Sequence, residues 1–286
     1  MNISGVGIWS APLRYGDQGE AADAAAECEE LGYSALWIPD VGGPVFDAVG
    51  NLLAATRNTV IATGILNLWM HTPADVAASF AALTAKHGDR FLMGIGVSHA
   101  PLVDAGDPGR YRRPLRAMST FLDGLDAAEK PVPVQSRVLA ALGPKMLRLA
   151  ADRSRGAHPY LTTPEHTRYA REQLGTGPLL APEQTAILCA DREQARAIGT
   201  GWLKTYLGLP NYANNLMRSG FSEDDIAHVS DRLFDAIIAW GSPQDVVARI
   251  AGHRDAGADH VCVQLLDENP NAFPREQWRQ LAAALG

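Results

Sequence analysis

Residues 91–101 read Phe-Leu-Met-Gly-Ile-Gly-Val-Ser-His-Ala-Pro, an apolar run with two glycines that ends on Ser98 and His99. Imidazole has an unperturbed pKa of about 6.5, so His99 at the end of a strand suits proton exchange near neutrality. The same place also suits a histidine that only braces the loop after it. Asp40 closes another short run, Ser34–Pro39, and His158 and Tyr160 stand in a third, "AHPYL". These groups are few, and their scarcity excludes some chemistry. A glycosidase needs two carboxylates flanking one bond, and Asp40 has no second acid at a strand end. A metal hydrolase needs clustered ligands, and neither HxH nor HExxH occurs, so no metal is expected. Ser98 lacks the second glycine of a GxSxG elbow. "GIGVSHAPL" breaks the GxGxxG dinucleotide fingerprint after its second glycine. "ALGPKML" at 141–147 is a better anion candidate, because a strand there gives way at once to a helix whose free N–H groups favour negative charge. An ordinary βα turn has the same appearance.

The elements that would position these residues alternate along the chain. Eight short apolar runs are expected at Val6–Trp9, Ser34–Pro39, Thr59–Leu68, Phe91–Val97, Arg137–Leu142, Ala157–Leu161, Thr185–Ala190 and His260–Leu266. Helical stretches separate nearly all of them, and the runs are continuous rather than alternating, which signals strands buried on both faces of a parallel sheet. Eight such units in 286 residues fit an α/β fold of the (β/α)8 TIM-barrel type better than an open doubly wound sheet. Residues 1–286 read as one barrel domain, with a helical insertion over 191–242 between strands seven and eight. Within and after that insertion, helices are expected near 192–207, 212–219, 223–239 and 243–256. Residues 100–113 are rich in Pro, Gly, Asp and Arg and read as a long loop. In a barrel of this kind the site lies at the C-terminal strand ends. That brings Trp9, Ser10, Asp40, Gly64, Ile65, Asn67, Val97, Ser98, His99, Leu142, Gly143, His158, Tyr160 and Gln264 to one mouth.

Composition narrows the partners. The formal charge of −7 is spread along the chain with no Lys/Arg stripe, which argues against nucleic acid. Cys28, Cys189 and Cys262 are far apart and form no CxxC, so buried thiols rather than a disulfide or zinc scaffold are expected. No apolar run approaches the ~20 residues of a membrane helix, and the first residues lack the pattern of a signal peptide. A cytoplasmic setting without membrane contact is the expectation.

The chain resembles the bacterial-luciferase-like superfamily of flavin and deazaflavin oxidoreductases, and within it the branch that uses coenzyme F420. The resemblance rests on "LWIPD" (36–40), "ATGILNLWMHTPADVA" (62–77), "DRFLMGIGVSH" (89–99), "LAALGPKMLRLAA" (139–151), "GAHPYLTTPEHT" (156–167) and "GADHVCVQ" (257–264), in that order and spacing over nearly the whole chain. It implies a coenzyme ring lying across the barrel mouth and a non-prolyl cis peptide behind it, at Gly64–Ile65. It implies ring contacts from Asn67, a polar coenzyme contact from Asp40, and backbone along the coenzyme edge at Val97 and Ser98. It also implies a phosphate grip of mainly backbone N–H groups from Leu142, Gly143, Lys145 and Met146. Two positions depart from the sugar-phosphate dehydrogenases of the superfamily. Val41 stands where they carry a histidine, and His99 where they carry a glutamate, so a sugar phosphate is disfavoured.

The implied activity is hydride transfer between F420 and a small organic substrate, with His99 as the acid or base. Trp9 and Trp69 could be ring platforms, His71 and Tyr111 could line the entrance, and Arg110, Arg112 and Arg113 could hold an acidic coenzyme tail. The alternatives are an FMN-dependent monooxygenase using reduced flavin and O2, and a non-catalytic flavin- or deazaflavin-binding protein. The family often forms dimers, so a homodimer is expected.

Overall fold

A computed structural model describes residue 1 and residues 3–286. The strands are β1 (Gly5–Trp9), β2 (Ala35–Ile38), β3 (Val60–Thr63), β4 (Leu66–Asn67), β5 (Phe91–Gly96), β6 (Arg137–Leu139), β7 (Gly156–Ala157), β8 (Leu179–Leu180), β9 (Glu183–Ile187), β10 (Ala239–Trp240) and β11 (His260–Leu265). The helices are α1 (Pro12–Tyr15), α2 (Gln18–Glu30), α3 (Val45–Ala55), α4 (Pro73–His87), α5 (Ala100–Asp104), α6 (Pro114–Asp126), α7 (Pro144–Arg153), α8 (Pro164–Leu174), α9 (Arg192–Leu207), α10 (Pro210–Arg218), α11 (Glu223–His228), α12 (Asp231–Ile237), α13 (Pro243–Asp255) and α14 (Arg275–Leu285). No helix among the described residues is long and apolar enough to cross a membrane.

All strand pairs are parallel, in the order β10-β9-β11-β1-β2-β3-β5-β6-β7-β8, with β4 beside β5. The ring closes through residues 179–187, which form one strand interrupted near Pro182. Its first half pairs with β7 (Ala157 opposite Leu180), and its second half pairs with β11 (Thr185 opposite Gln264). The Ala181 and Glu183 N–H groups bond back to Ala157 and Pro159, while the Pro182 carbonyl accepts from Cys262. Proline has no N–H to give, so its neighbours carry the ladder on both sides. This strand starts earlier than the expected Thr185–Ala190, because buried Glu183 and Gln184 broke the apolar pattern.

Alternation along the strands sorts the core into two layers. Ile8, Leu36, Ile38, Ile61, Phe91 and Leu139 face outward onto the helices. Trp9, Ala35, Trp37, Ala62, Leu92, Val138 and Cys262 face inward. Small residues beside Trp37 let its indole fill the lumen, where it stacks on His158 (centroids 4.3 Å apart) and its Nε1–H donates to His260 Nε2 at 3.1 Å.

The outer helices begin where proline or a short polar side chain makes a start. Thr72, Thr163, Asp191 and Ser242 each accept from an N–H of the first turn, satisfying donors the helix leaves open. Between β9 and α13 the chain builds α9–α12 and β10. The expected single helix over 223–239 is two helices and a strand. Val229 turns into the left-handed region (φ 50°), and Ser230 caps α12 through Leu233 N–H. Residues 100–113 likewise contain α5 where only loop was expected; His99 is its N-cap residue, and Pro101 stands second in the first turn. The runs expected to end at Leu142 and Leu161 are regular strand only to Leu139 and Ala157, with single ladder bonds continuing at Ala140 and Pro159.

Candidate active site at the strand ends

Gly94 and Gly96 explain how the floor of the mouth is built. A Cβ on Gly94 would stand 1.9 Å from the Thr63 carbonyl oxygen, so glycine lets β3 press against β5. The Thr63 hydroxyl then donates to the Gly94 carbonyl at 2.8 Å. A Cβ on Gly96 would stand 2.4 Å from Ile65 Cδ1 and 3.2 Å from Ala140 Cβ. Gly96 therefore makes room for the Ile65 side chain, and the two line the floor of the mouth together. The Gly64–Ile65 peptide is cis, and its Gly64 carbonyl accepts from Trp9 Nε1 at 3.0 Å.

Around this floor is a cavity of about 510 Å3 at the C-terminal strand ends. Of the sequence-predicted residues, Asp40, Gly64, Ile65, Asn67, Val97, Ser98, His99, Leu142, Gly143 and Met146 all line it, as do Trp9, Tyr111, His158 and Tyr160. Lys145 does not. It is exposed and borders a separate outer hollow with Leu115, Ser119, Arg148 and Asp152, because its side chain projects from the outward face of α7. Arg110, Arg112 and Arg113 are also exposed and lie outside the lining; Arg110 bonds the Trp69 carbonyl instead. Ser10, Gln264, Trp69 and His71 are not in the lining either. Trp69 braces the wall, its Nε1–H donating to the Val97 carbonyl at 2.7 Å.

Asp40 is 3% exposed. Its Oδ2 lies 2.7 Å from His71 Nε2 and accepts the Asn67 N–H at 3.2 Å, while its Oδ1 is buried without a partner. The imidazole missing at Val41 thus arrives beside Asp40 from His71, thirty residues later, through the turn after β4. Sequence spacing carried no sign of that pairing. His158 offers a second unpartnered acceptor. Its Nδ1 lies 2.7 Å from the Ala181 carbonyl, which can only accept, so Nδ1 holds the proton and buried Nε2 keeps a free lone pair. Burial pushes His158 down to about 4, and His99 also to about 4. Both are neutral at pH 7, so His99 enters the site as an uncharged imidazole rather than an acid half-protonated near neutrality.

His99 is aimed by Ser98, which adopts the left-handed conformation (φ 55°). Such a residue persists where its surroundings hold it, and it marks functional sites more often than most. Here Asn211 Nδ2 donates to the Ser98 carbonyl at 3.2 Å and to the Tyr111 hydroxyl at 3.2 Å. Asn211 belongs to α10, so the segment between β9 and α13 reaches over the mouth. It also contributes Thr205, Tyr206, Leu209, Tyr212, Asn214 and Arg218 to the lining. These residues were missed from sequence, because a helical insertion gives no signal of which face turns inward.

The α7 turn is open. Gly143 caps the helix without a side-chain bond, proline follows, and a Cβ on Gly143 would meet nothing within 4 Å. His166 Nε2 holds the Leu142 carbonyl at 3.0 Å and steadies the turn. The charge of Arg218 is near enough to help lower the His166 pKa, after burial as the main cause. Gly143 and Arg218 both line the cavity, so a helix N-terminus and a guanidinium are available there to an anion.

Comparison with known proteins agrees with this architecture. The chain is 23% identical over 92% of its length to a Mycobacterium tuberculosis protein named as a coenzyme F420-dependent oxidoreductase, covering 93% of that protein. It is 24% identical over 82% of its length to the 5,10-methylenetetrahydromethanopterin reductase of Archaeoglobus fulgidus, covering 85% of it. The structure of an F420-dependent secondary alcohol dehydrogenase with an F420–acetone adduct superposes with a TM-score of 0.75 over 100% of both chains, at 15% identity. The family model described as luciferase-like monooxygenase matches residues 6–260, so the chain belongs to the luciferase-like monooxygenase family of barrel oxidoreductases.

Proposed function

We propose that the chain is an F420-dependent oxidoreductase that transfers a hydride between the deazaflavin coenzyme and a small organic substrate. The observation that carries the reading is the joint geometry of floor and walls. Ile65 is an apolar base, Asp40 Oδ1 is an orphan acceptor, and the open α7 turn and Arg218 line the same cavity. A flat head with N–H groups and an anionic tail would use all three. Buried acceptors without donors cost about 1–3 kcal/mol each, so a ligand donor stabilises the wall. When bound, the deazaflavin supplies the two-electron chemistry, and the protein orients and excludes water.

In this reading Ile65 and Asn67 set the ring plane, and Asp40, held by His71, fixes its edge. The Gly143 turn with Met146 and Arg218 receives the phosphate. Lys145 contributes only through its backbone. His99, neutral and half-buried above the floor, takes or relays the substrate proton as a base. The protein would work as a homodimer in the cytoplasm, without metal or nucleic acid.

One observation favours the second reading, an FMN-dependent monooxygenase. Arg110, Arg112 and Arg113 lie outside the cavity lining, so the groove expected for a long acidic tail loses its cations. Separate titrations of the purified protein with F420 and FMN decide between them. Saturable F420 binding that outcompetes FMN supports the first reading, and tight FMN binding without F420 binding replaces it. A non-catalytic binding protein would bind a cofactor yet show no hydride transfer with any electron acceptor or donor tried.

A further inference from the structure

The part of the cavity not assigned to the coenzyme is walled by rings. Trp9 and Tyr160 lie 5.5 Å apart, Tyr160 and Tyr206 5.3 Å, Tyr206 and Tyr212 5.8 Å, and Tyr212 and His99 4.7 Å between centroids. The Tyr160 hydroxyl donates to Gln264 Oε1 at 2.6 Å and lies 3.2 Å from the Tyr206 hydroxyl. Those two hydroxyls are spent within the protein, so the wall offers mainly ring surface, with the Tyr212 hydroxyl as its one tyrosine hydroxyl left without a partner among the described residues. Burial, with the Glu183 carboxylate behind the rings adding to it, raises all three tyrosine pKa values, and His99 and His158 are held neutral, so no side chain on the cavity face of this wall is charged at pH 7. The charged members of the lining, Asp40 and Arg218, are the ones the coenzyme reading already uses. At the rim, Val41 is 73% exposed and Leu102 55%, both apolar and both lining the mouth.

We propose that the substrate is an uncharged, largely apolar molecule seated between Tyr160, Tyr206 and Tyr212 and entering over Val41 and Leu102. This rests on the coenzyme reading only in assigning Asp40 and Arg218 away from the substrate. A charged group pressed onto this wall would lose its water without gaining an ion pair, whereas an apolar face replaces water on the rings. The two outer tyrosines come from α9 and α10, so the segment between β9 and α13 sets the substrate class.

The test uses three one-ring probes of similar size, acetophenone, benzoate and phenyltrimethylammonium, titrated by calorimetry into the full chain with and without F420 or FMN. Acetophenone should bind at least about tenfold tighter than either ion. Tyr212→Leu should weaken it about 3- to 10-fold while leaving the melting temperature near that of the parent. In the parent protein, ring protons of acetophenone should show NMR contacts to Tyr206 and Tyr212. Preference for benzoate would assign this wall to anions through Arg218, and preference for phenyltrimethylammonium would make it a cation cage. Either result overturns the proposal, as does acetophenone binding without contacts to these tyrosines, or no acetophenone binding. If acetophenone is preferred and neither coenzyme binds, the coenzyme reading fails and the substrate class stands.

Discussion

Gly96→Ala is the sharpest perturbation of the floor. The added methyl would stand 2.4 Å from Ile65 Cδ1 and 2.6 Å from Ile65 Cγ1. Carbon atoms rest at about 3.5–4.0 Å, so the overlap exceeds about 1 Å. The obstructing atoms are the end of a side chain, not backbone, so Ile65 rotates rather than the strands parting. Leaving a rotamer well costs about 0.5–1.5 kcal/mol, and overpacking a closed core about 1–3 kcal/mol. We expect a loss near the low end, about 1–2 kcal/mol by urea unfolding. The floor moves more than the fold does, so F420 or FMN affinity should fall about tenfold or more, since a displacement of about 1 Å at a positioned site is costly. Gly143→Ala is the control: its methyl meets nothing within 4 Å and its φ is −94°, so stability should hold within about 0.5 kcal/mol. If Gly96→Ala leaves coenzyme affinity and stability unchanged, Ile65 is not the floor.

Other outcomes follow from the same geometry. Gly94→Ala puts its methyl 1.9 Å from a backbone oxygen, so it should destabilise more than Gly96→Ala, by about 3 kcal/mol, read by the same unfolding assay. His71→Ala removes the 2.7 Å partner of buried Asp40 and should weaken coenzyme binding about tenfold without moving substrate-probe affinity. Glu183 is fully buried and burial raises it to about 7, so its protonated form stabilises the fold below pH 4.5 and that stability is lost as pH rises through about 7. Glu183→Gln, whose amide can donate to Thr185 and accept from Leu161 N–H, should gain stability over the parent by on the order of 1 kcal/mol between pH 6 and 8.5. His158 has the opposite sign. Its folded pKa of about 4 lies below the usual 6.5, so its contribution is present above pH 6.5 and is lost as pH falls toward 4. Between pH 6.5 and 4.5 this opposes the Glu183 contribution, but burial also holds His99, His253 and His260 down at about 4, 3 and 3, so the stability of the parent should decline from pH 6.5 to 4, and His158→Asn, which keeps a donor to Ala181, should flatten part of that decline.

The strands and most of the mouth were legible because parallel strands bury both faces and end on residues of a different kind. Trp9 and Asn67 lie at or next to the ends of apolar runs, and Asp40 and His99 come just after such runs, so position in the sequence maps onto position at the mouth. The strand at 179–187 was less legible, since Pro182, Glu183 and Gln184 are polar or ring-closed yet sit inside the barrel. The Asp40–His71 pair was hidden because it depends on how the turn after β4 folds back, not on spacing. Tyr206, Tyr212 and Arg218 were hidden for a related reason. Their helices are held by Arg196 on the Val229 carbonyl and by Asn211 on the Ser98 carbonyl, and nothing in periodicity says that these contacts turn one helical face over the mouth. Lys145 is the reverse case: the motif places it in the grip mainly through its backbone, while its side chain leaves by the outer face of α7.

The central claim is that the coenzyme lies on Ile65 at the strand ends, with its phosphate at the α7 turn. Amide hydrogen exchange with and without saturating F420 tests it directly. Slowed exchange confined to residues 64–69, 96–99, 142–147 and 205–218 is the predicted result. Protection centred instead on the outer hollow of Leu115, Ser119, Lys145 and Arg148, or no protection at the strand ends when F420 is bound, would contradict it.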